Sequence, residues 1–321
     1  MAKKKSIVDR ISDTVTEIVD TASAAAAAAL KPDPEAVAAT TKEQVYIPEA
    51  TDAAATPAPL FARKKRGPAP MRANKRVAAA RAKKTASRSQ RAAKQPKKAA
   101  ARADAARVAL PGCESVIEGD LSTLAAMQSV ASQANAMGRF DAVIHNVATG
   151  YHDRERFVTE DGLARIFAVN VLAPYVLTAL MIPPARLIYL SSGMHTGGRP
   201  ELDDAQWADR RWNASQAYSD TKLHDTILTM AVAARWTHVM ANAVDPGWVP
   251  TKLGGAGAPD NLDLGADTQA RLAVSQEPTA RVTGEYFHHR QRRKAASAAY
   301  DGATQDRLMA YLQTISGVSF A

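Results

Sequence analysis

Glycine is missing from the first 66 residues of this 321-residue chain, and between Gly67 and Gly112 there is no other. Glycine lets a backbone turn tightly or lie against a phosphate. Residues 1–111 therefore hold no glycine-rich cradle for a pyrophosphate, and Gly67, alone before Pro68, cannot form one. Cysteine is limited to Cys113. That excludes an intrachain disulfide and points to a reducing compartment, the cytoplasm. Long apolar runs are lacking too. The run Ala24–Ala29 is too short and too weakly apolar to span a bilayer, and charges interrupt the stretch after Lys3-Lys4-Lys5, which argues against a secretion signal. No His or Cys cluster has metal-ligand spacing. His145 and His195 stand alone and read as ordinary polar or rim residues. His288-His289 falls in the expected strand 284–289, where neighbours point to opposite faces.

Charge of one sign is abundant but local. The chain carries a net charge of +9. Residues 63–107 hold 17 Lys/Arg against Asp104 alone, a surplus of +16, so the remainder is acidic by −7. The basic run has no aromatic residue, which removes the stacking surface that single-stranded nucleic acid would use. Two readings stay open for it: a sequence-independent grip on nucleic-acid phosphates, or a solvated run with no dedicated partner. Ahead of it, Ile7, Val8, Ile11, Val15, Ile18 and Val19 follow helical spacing, as in a surface amphipathic helix. Residues 31–70, rich in Pro, Ala and Thr, read as a linker.

Beyond residue 105 the pattern alternates. Strands are expected near 115–120, 140–146, 185–192, 238–244 and 284–289. Helices are expected near 122–137, 159–180, 214–236, 264–275 and 304–315. Such alternation predicts a parallel sheet covered by helices, an α/β fold. An irregular insertion, Asp203 to Trp212, lies where it would shape a substrate mouth, with Trp207, Trp212 and Trp248 as candidate lining or packing residues.

Within this frame, Tyr218 and Lys222 lie four apart, on one face of the expected helix. An ammonium beside a phenol favours the phenolate, which suits a proton donor or acceptor. Upstream, Arg186-Leu187-Ile188-Tyr189-Leu190-Ser191-Ser192-Gly193 reads as a buried strand ending in two serines, and Asp141-Ala142-Val143-Ile144-His145-Asn146 as another ending in Asn146. Val169-Asn170-Val171 lies between them, and Asp245-Pro246-Gly247-Trp248-Val249-Pro250-Thr251 follows a third strand. In this order, these pieces resemble the short-chain dehydrogenase/reductase family from about Ala105 to the C-terminus, roughly two-thirds of the chain.

The resemblance implies an NAD- or NADP-dependent oxidoreductase acting on a small alcohol or carbonyl compound. By motif, Tyr218 is the general acid/base, and Lys222 lowers its pKa and holds the nicotinamide ribose. Ser192 binds the substrate carbonyl, and Asn170 completes the set and supports a proton-relay water. Asn146 and Ala148 would lie along the cofactor. Pro246, Gly247, Val249 and Thr251 would approach its nicotinamide and phosphates, and Asp120 its adenine. The family's Gly-x-x-x-Gly-x-Gly turn has no counterpart, and Asn146-Val147-Ala148 stands where Asn-Ala-Gly is usual. The sequence thus predicts a truncated, doubly wound, Rossmann-like sheet over 105–321, without its first two strands, and weak cofactor binding. Residues 1–104 form a separate low-complexity region: amphipathic helix, linker and basic run. With two strands gone, the strand at 115–120 should pair with 140–146 or stay unpaired, in a sheet of about five strands. The alternative function is a non-catalytic nucleic-acid-binding protein, gripping through residues 63–107 and carrying a reductase remnant.

Overall fold

The computed structural model describes residues 113–320. The expectations for residues 1–112, including the amphipathic helix, the linker and the basic run, lie outside the described residues. Five strands form one sheet: β1 (Ala142–His145), β2 (Arg186–Leu190), β3 (Met240–Asp245), β4 (Tyr286–His288) and β5 (Gln291–Arg293), in that spatial order. The first four run parallel, and β5 turns back antiparallel on β4. The helices are α1 (Leu124–Ala136), α2 (Arg165–Phe167), α3 (Ala173–Leu180), α4 (Ala214–Arg235), α5 (Leu262–Val274) and α6 (Gly302–Ser316).

Side chains alternate across a strand, so β2 feeds two layers. Leu187 and Tyr189 join the main core with α2, α3, α4 and α6. Ile188 and Leu190 face the other way, onto Val244, Phe287 and Leu272 of α5. Every residue of β2 is buried, as expected of a parallel strand covered on both faces.

α4 is the central pillar. The Asn213 side chain caps it by accepting from the Gln216 amide at 3.0 Å. Its residues are buried without a break from Ala217 to Val232. The expected helix 159–180 begins later and carries an irregularity. α2 and α3 are joined by a single π-helical turn, Ala168–Leu172. Pro174 follows that turn and has no N–H to offer the Asn170 carbonyl four residues back, so a regular α-helical ladder is interrupted there.

Two expectations need correction. Residues 115–120 form no strand; the chain from Cys113 to Asp120 makes no ladder with β1, whose outer edge has no strand partner among the described residues. Val116 and Ile117 are only half-buried there. β5, in contrast, was not expected. It is short, polar and exposed, and is reached through His289 and Arg290, both at positive φ (45° and 64°). Hairpin turns of this hand usually use Asn-Gly, and that signal is missing here. The same turn overturns the expected divergence of the two histidines. The strand ends at His288, and the two rings stack 3.9 Å apart.

Candidate active site

Parallel strands place their C-terminal ends along one rim, and a cavity of about 1080 Å³ opens there. Asn146 and Ala148 after β1, Ser191 to Met194 after β2, and Asp245 at the end of β3 with Pro246 to Val249 and Thr251 after it line the cavity, with Tyr218 and Lys222 of α4 reaching in between. The sequence-derived residues Asn146, Ala148, Ser192, Tyr218, Lys222, Pro246, Gly247, Val249 and Thr251 therefore share one cavity wall. Its remaining surface is largely apolar and includes Tyr151, Trp248, Leu253 and Leu262.

The paired serines divide their work. The Ser191 hydroxyl is buried against α4, 3.2 Å from the Lys222 carbonyl and 2.7 Å from the Thr226 hydroxyl. It locks the end of β2 to the helix. The Ser192 hydroxyl caps the short turn Gly193–Gly197, accepting from the Met194 amide at 3.2 Å, and remains on the cavity wall. The Tyr218 hydroxyl has no hydrogen-bond partner among the described residues, and the ring is held edge-on by Tyr151 at 5.4 Å.

Asn170 is buried and does not line the cavity. Its side chain accepts from the Thr149 amide at 2.9 Å and donates to the Thr149 carbonyl at 3.0 Å and the Thr221 hydroxyl at 3.1 Å. It ties the loop after β1 to α4, one residue from Lys222. Asp120 also lies off the cavity wall; it is exposed and accepts from the Ser122 amide at 3.0 Å. Of the tryptophans, Trp248 lines the cavity, whereas Trp207 is buried edge-on against Trp212 at 5.6 Å. His145 and His195 are buried rather than at a rim. His145 sits 3.1 Å from the Thr178 hydroxyl and stacks on Tyr189, while His195 tilts against Tyr286.

The electrostatics differ from the sequence expectation. Burial holds the Tyr218 phenol well above its ordinary range, and Asp225, Asp245 and Tyr151 push the same way. The Lys222 ammonium lies 5.8 Å from the centre of the Tyr218 ring. It donates to the Leu190 carbonyl and sits 3.6 Å from the Asp225 carboxylate. Sequence reasoning passed over Asp225 because one acid in a long helix reads as solvated; only its burial marks it. A further pair, His288 with Asp245 at 3.2 Å, stands on the cavity wall and was likewise missed.

Comparison with known proteins identifies the family and the fold. Residues 74–287 match a short-chain family model described as enoyl-(acyl carrier protein) reductase, a span that begins upstream of residue 105 and inside the basic run. An uncharacterized oxidoreductase of Emericella nidulans is 39% identical over 221 residues, covering 68% of this chain and 84% of that protein. A short-chain dehydrogenase of Gibberella zeae is 35% identical over the same length and coverage. A crystal structure of an uncharacterized protein from Mycobacterium paratuberculosis shares the fold, with a TM-score of 0.59 at 24% identity, over 68% of this chain and 82% of that one. The chain belongs to the short-chain dehydrogenase/reductase family of NAD(P)-dependent oxidoreductases.

Proposed function

We propose that this protein reduces the carbonyl group of a small, largely apolar compound with NADH or NADPH. The observation that carries the proposal is the convergence of Ser192, Tyr218 and Lys222 on one cavity wall whose other residues are mostly apolar. A nicotinamide ring and ribose fit that wall, because a buried amine and two hydroxyls converge there beside the backbone turn 246–251. The dinucleotide supplies hydride. Ser192 hydrogen-bonds the carbonyl oxygen of the substrate. Tyr218 gives that oxygen its proton; burial raises its pKa above the ordinary phenol value, so the phenol is protonated at neutral pH and available as the acid. Lys222 holds the ribose hydroxyls. Asn170 keeps the loop after β1 in register with α4 through its bonds to Thr149 and Thr221. Tyr151, Trp248, Leu253 and Leu262 exclude water and select apolar groups flanking the carbonyl.

The absence of a glycine-rich turn from residues 1–111 supports a second part of the proposal: cofactor affinity is weak. Charge-assisted hydrogen bonds to a pyrophosphate contribute about 1.5–3 kcal/mol each. Without two or three of them, binding falls by roughly 10³-fold or more.

The test is steady-state reduction of ketones and aldehydes of increasing apolar size, with millimolar NADH or NADPH. Turnover that rises with apolar size and falls at alkaline pH is the expected result. No turnover above background with any pair contradicts it. A second reading, nucleic-acid binding through residues 63–107, is favoured by the +16 charge surplus and predicts duplex DNA retention that collapses between 50 and 200 mM salt, orders of magnitude typical of phosphate contacts.

A further inference from the structure

The pair Lys222 and Asp225 is unusual in its setting. Both side chains are 3% exposed, three residues apart on α4, with the ammonium 3.6 Å from one carboxylate oxygen. The other carboxylate oxygen, Oδ1, has no hydrogen-bond partner among the described residues. Besides Asp225, the ammonium has only the Leu190 carbonyl as a hydrogen-bond partner among the described residues. A carbonyl stabilises an ammonium but carries no compensating charge, and a buried lysine without an anion sheds its proton readily. Tyr218 on the same helix and Tyr189 from β2 face the Asp225 carboxylate, while Asp245 from β3 and Tyr151 from the loop after β1 act on Tyr218. The centre of the Tyr218 ring lies 5.8 Å from the ammonium, and none of the four forms an ion pair with it. His224, the neighbour on α4, faces Asp220 and Arg210 instead.

We propose that Asp225 is the positioning residue of the site: its carboxylate keeps Lys222 charged and seated against the end of β2, where the lysine lines the cavity beside Tyr218. The inference rests on the reading of Tyr218 and Lys222 given above. Burial pushes Lys222 down and Asp225 up, and the attraction between them opposes both. Asp225 also raises Tyr218, so one carboxylate acts on both members of the family pair.

The test is a pH titration of the lysine side-chain carbons by NMR in protein labelled at lysine, with the Lys222 signal assigned by its loss in Lys222→Met. In the unsubstituted protein Lys222 should be charged at pH 7; a neutral Lys222 there overturns the proposal. In Asp225→Asn, Lys222 should release its proton at least one pH unit lower, and an unchanged titration overturns the proposal. The alkaline limb of kcat/KM should move with it, giving about tenfold loss per unit above the new midpoint. A merely structural role would lower activity evenly across pH. If Asp225→Asn does not fold, the double variant Lys222→Met/Asp225→Asn should recover folding, since both charges are then gone; failure to recover overturns the proposal. The titration needs no turnover, so a protein that reduces nothing would contradict the proposed function while the lysine still reports on Asp225.

Discussion

β1 and β3 are both parallel neighbours of β2, yet they are built differently. β3 has partners on both sides, its middle four residues are buried, and α4 and α5 pack over it. Among the described residues β1 is paired on one side only; Ile144 is 38% exposed, and an apolar cavity of about 330 Å³ lies along it, lined by Phe140, Val143 and Leu177 among others. The β3 side meets its packing needs within the described residues and fixes Tyr218, Lys222 and the turn 246–251. Among the described residues the β1 side presents apolar surface and an open ladder edge, which is costly for a buried strand unless other residues cover it. The nicotinamide end of the site is thus better built than the flank next to it.

The largest effect should come from the β3 side. Tyr218→Phe keeps the ring and removes the proton, so the proposed reduction should fall by ~10²–10⁴-fold. Turnover like that of the unsubstituted protein would remove Tyr218 from its role. Next in size is core truncation on β2 against β1. Leu187→Ala, at a site 1% exposed, should cost about 2–5 kcal/mol in urea unfolding. Val143→Ala, half-buried beside the apolar cavity, should cost less than about 1.5 kcal/mol. Equal costs would erase the contrast between the two flanks.

Acid sharpens the same comparison, because each flank holds a buried histidine. Burial pushes His145 of β1 and His224 of α4 from 6.5 down to about 4. Between those values the unfolded chain binds more protons than the folded one, so stability falls as pH drops from about 6.5 to about 4 and levels off below. Each histidine contributes roughly 1.4 kcal/mol per pH unit across that window. His145→Gln and His224→Gln should each lessen this acid sensitivity, with the lowered His195 adding to it and the raised Asp225 opposing it; an unchanged pH dependence in either variant contradicts its assignment.

Much of this was legible from residue spacing. Tyr218 and Lys222 were found because a helix repeats every 3.6 residues and α4 is uninterrupted. Ser192, Asn146 and the turn 246–251 were named by their resemblance to the short-chain family, and they share one wall because parallel strands end on one rim. What was not legible depended on partners distant in sequence. A strand at 115–120 needs a neighbour to pair with, and Val116 and Ile117 alone could not show that none is supplied. β5 is made of exposed Gln291, Arg292 and Arg293 and exists only through its hairpin with β4. The charge state of Tyr218 followed burial and Asp225 rather than its spacing from Lys222.

The central claim is that the nicotinamide end of the site is formed while the pyrophosphate end contributes little. Calorimetry of the full chain with NADH and with reduced nicotinamide mononucleotide, which lacks the adenosine half, tests it most directly. The account predicts weak, millimolar-range binding of both, within about tenfold of each other. Micromolar NADH binding, 10³-fold or more tighter than the mononucleotide, would contradict it.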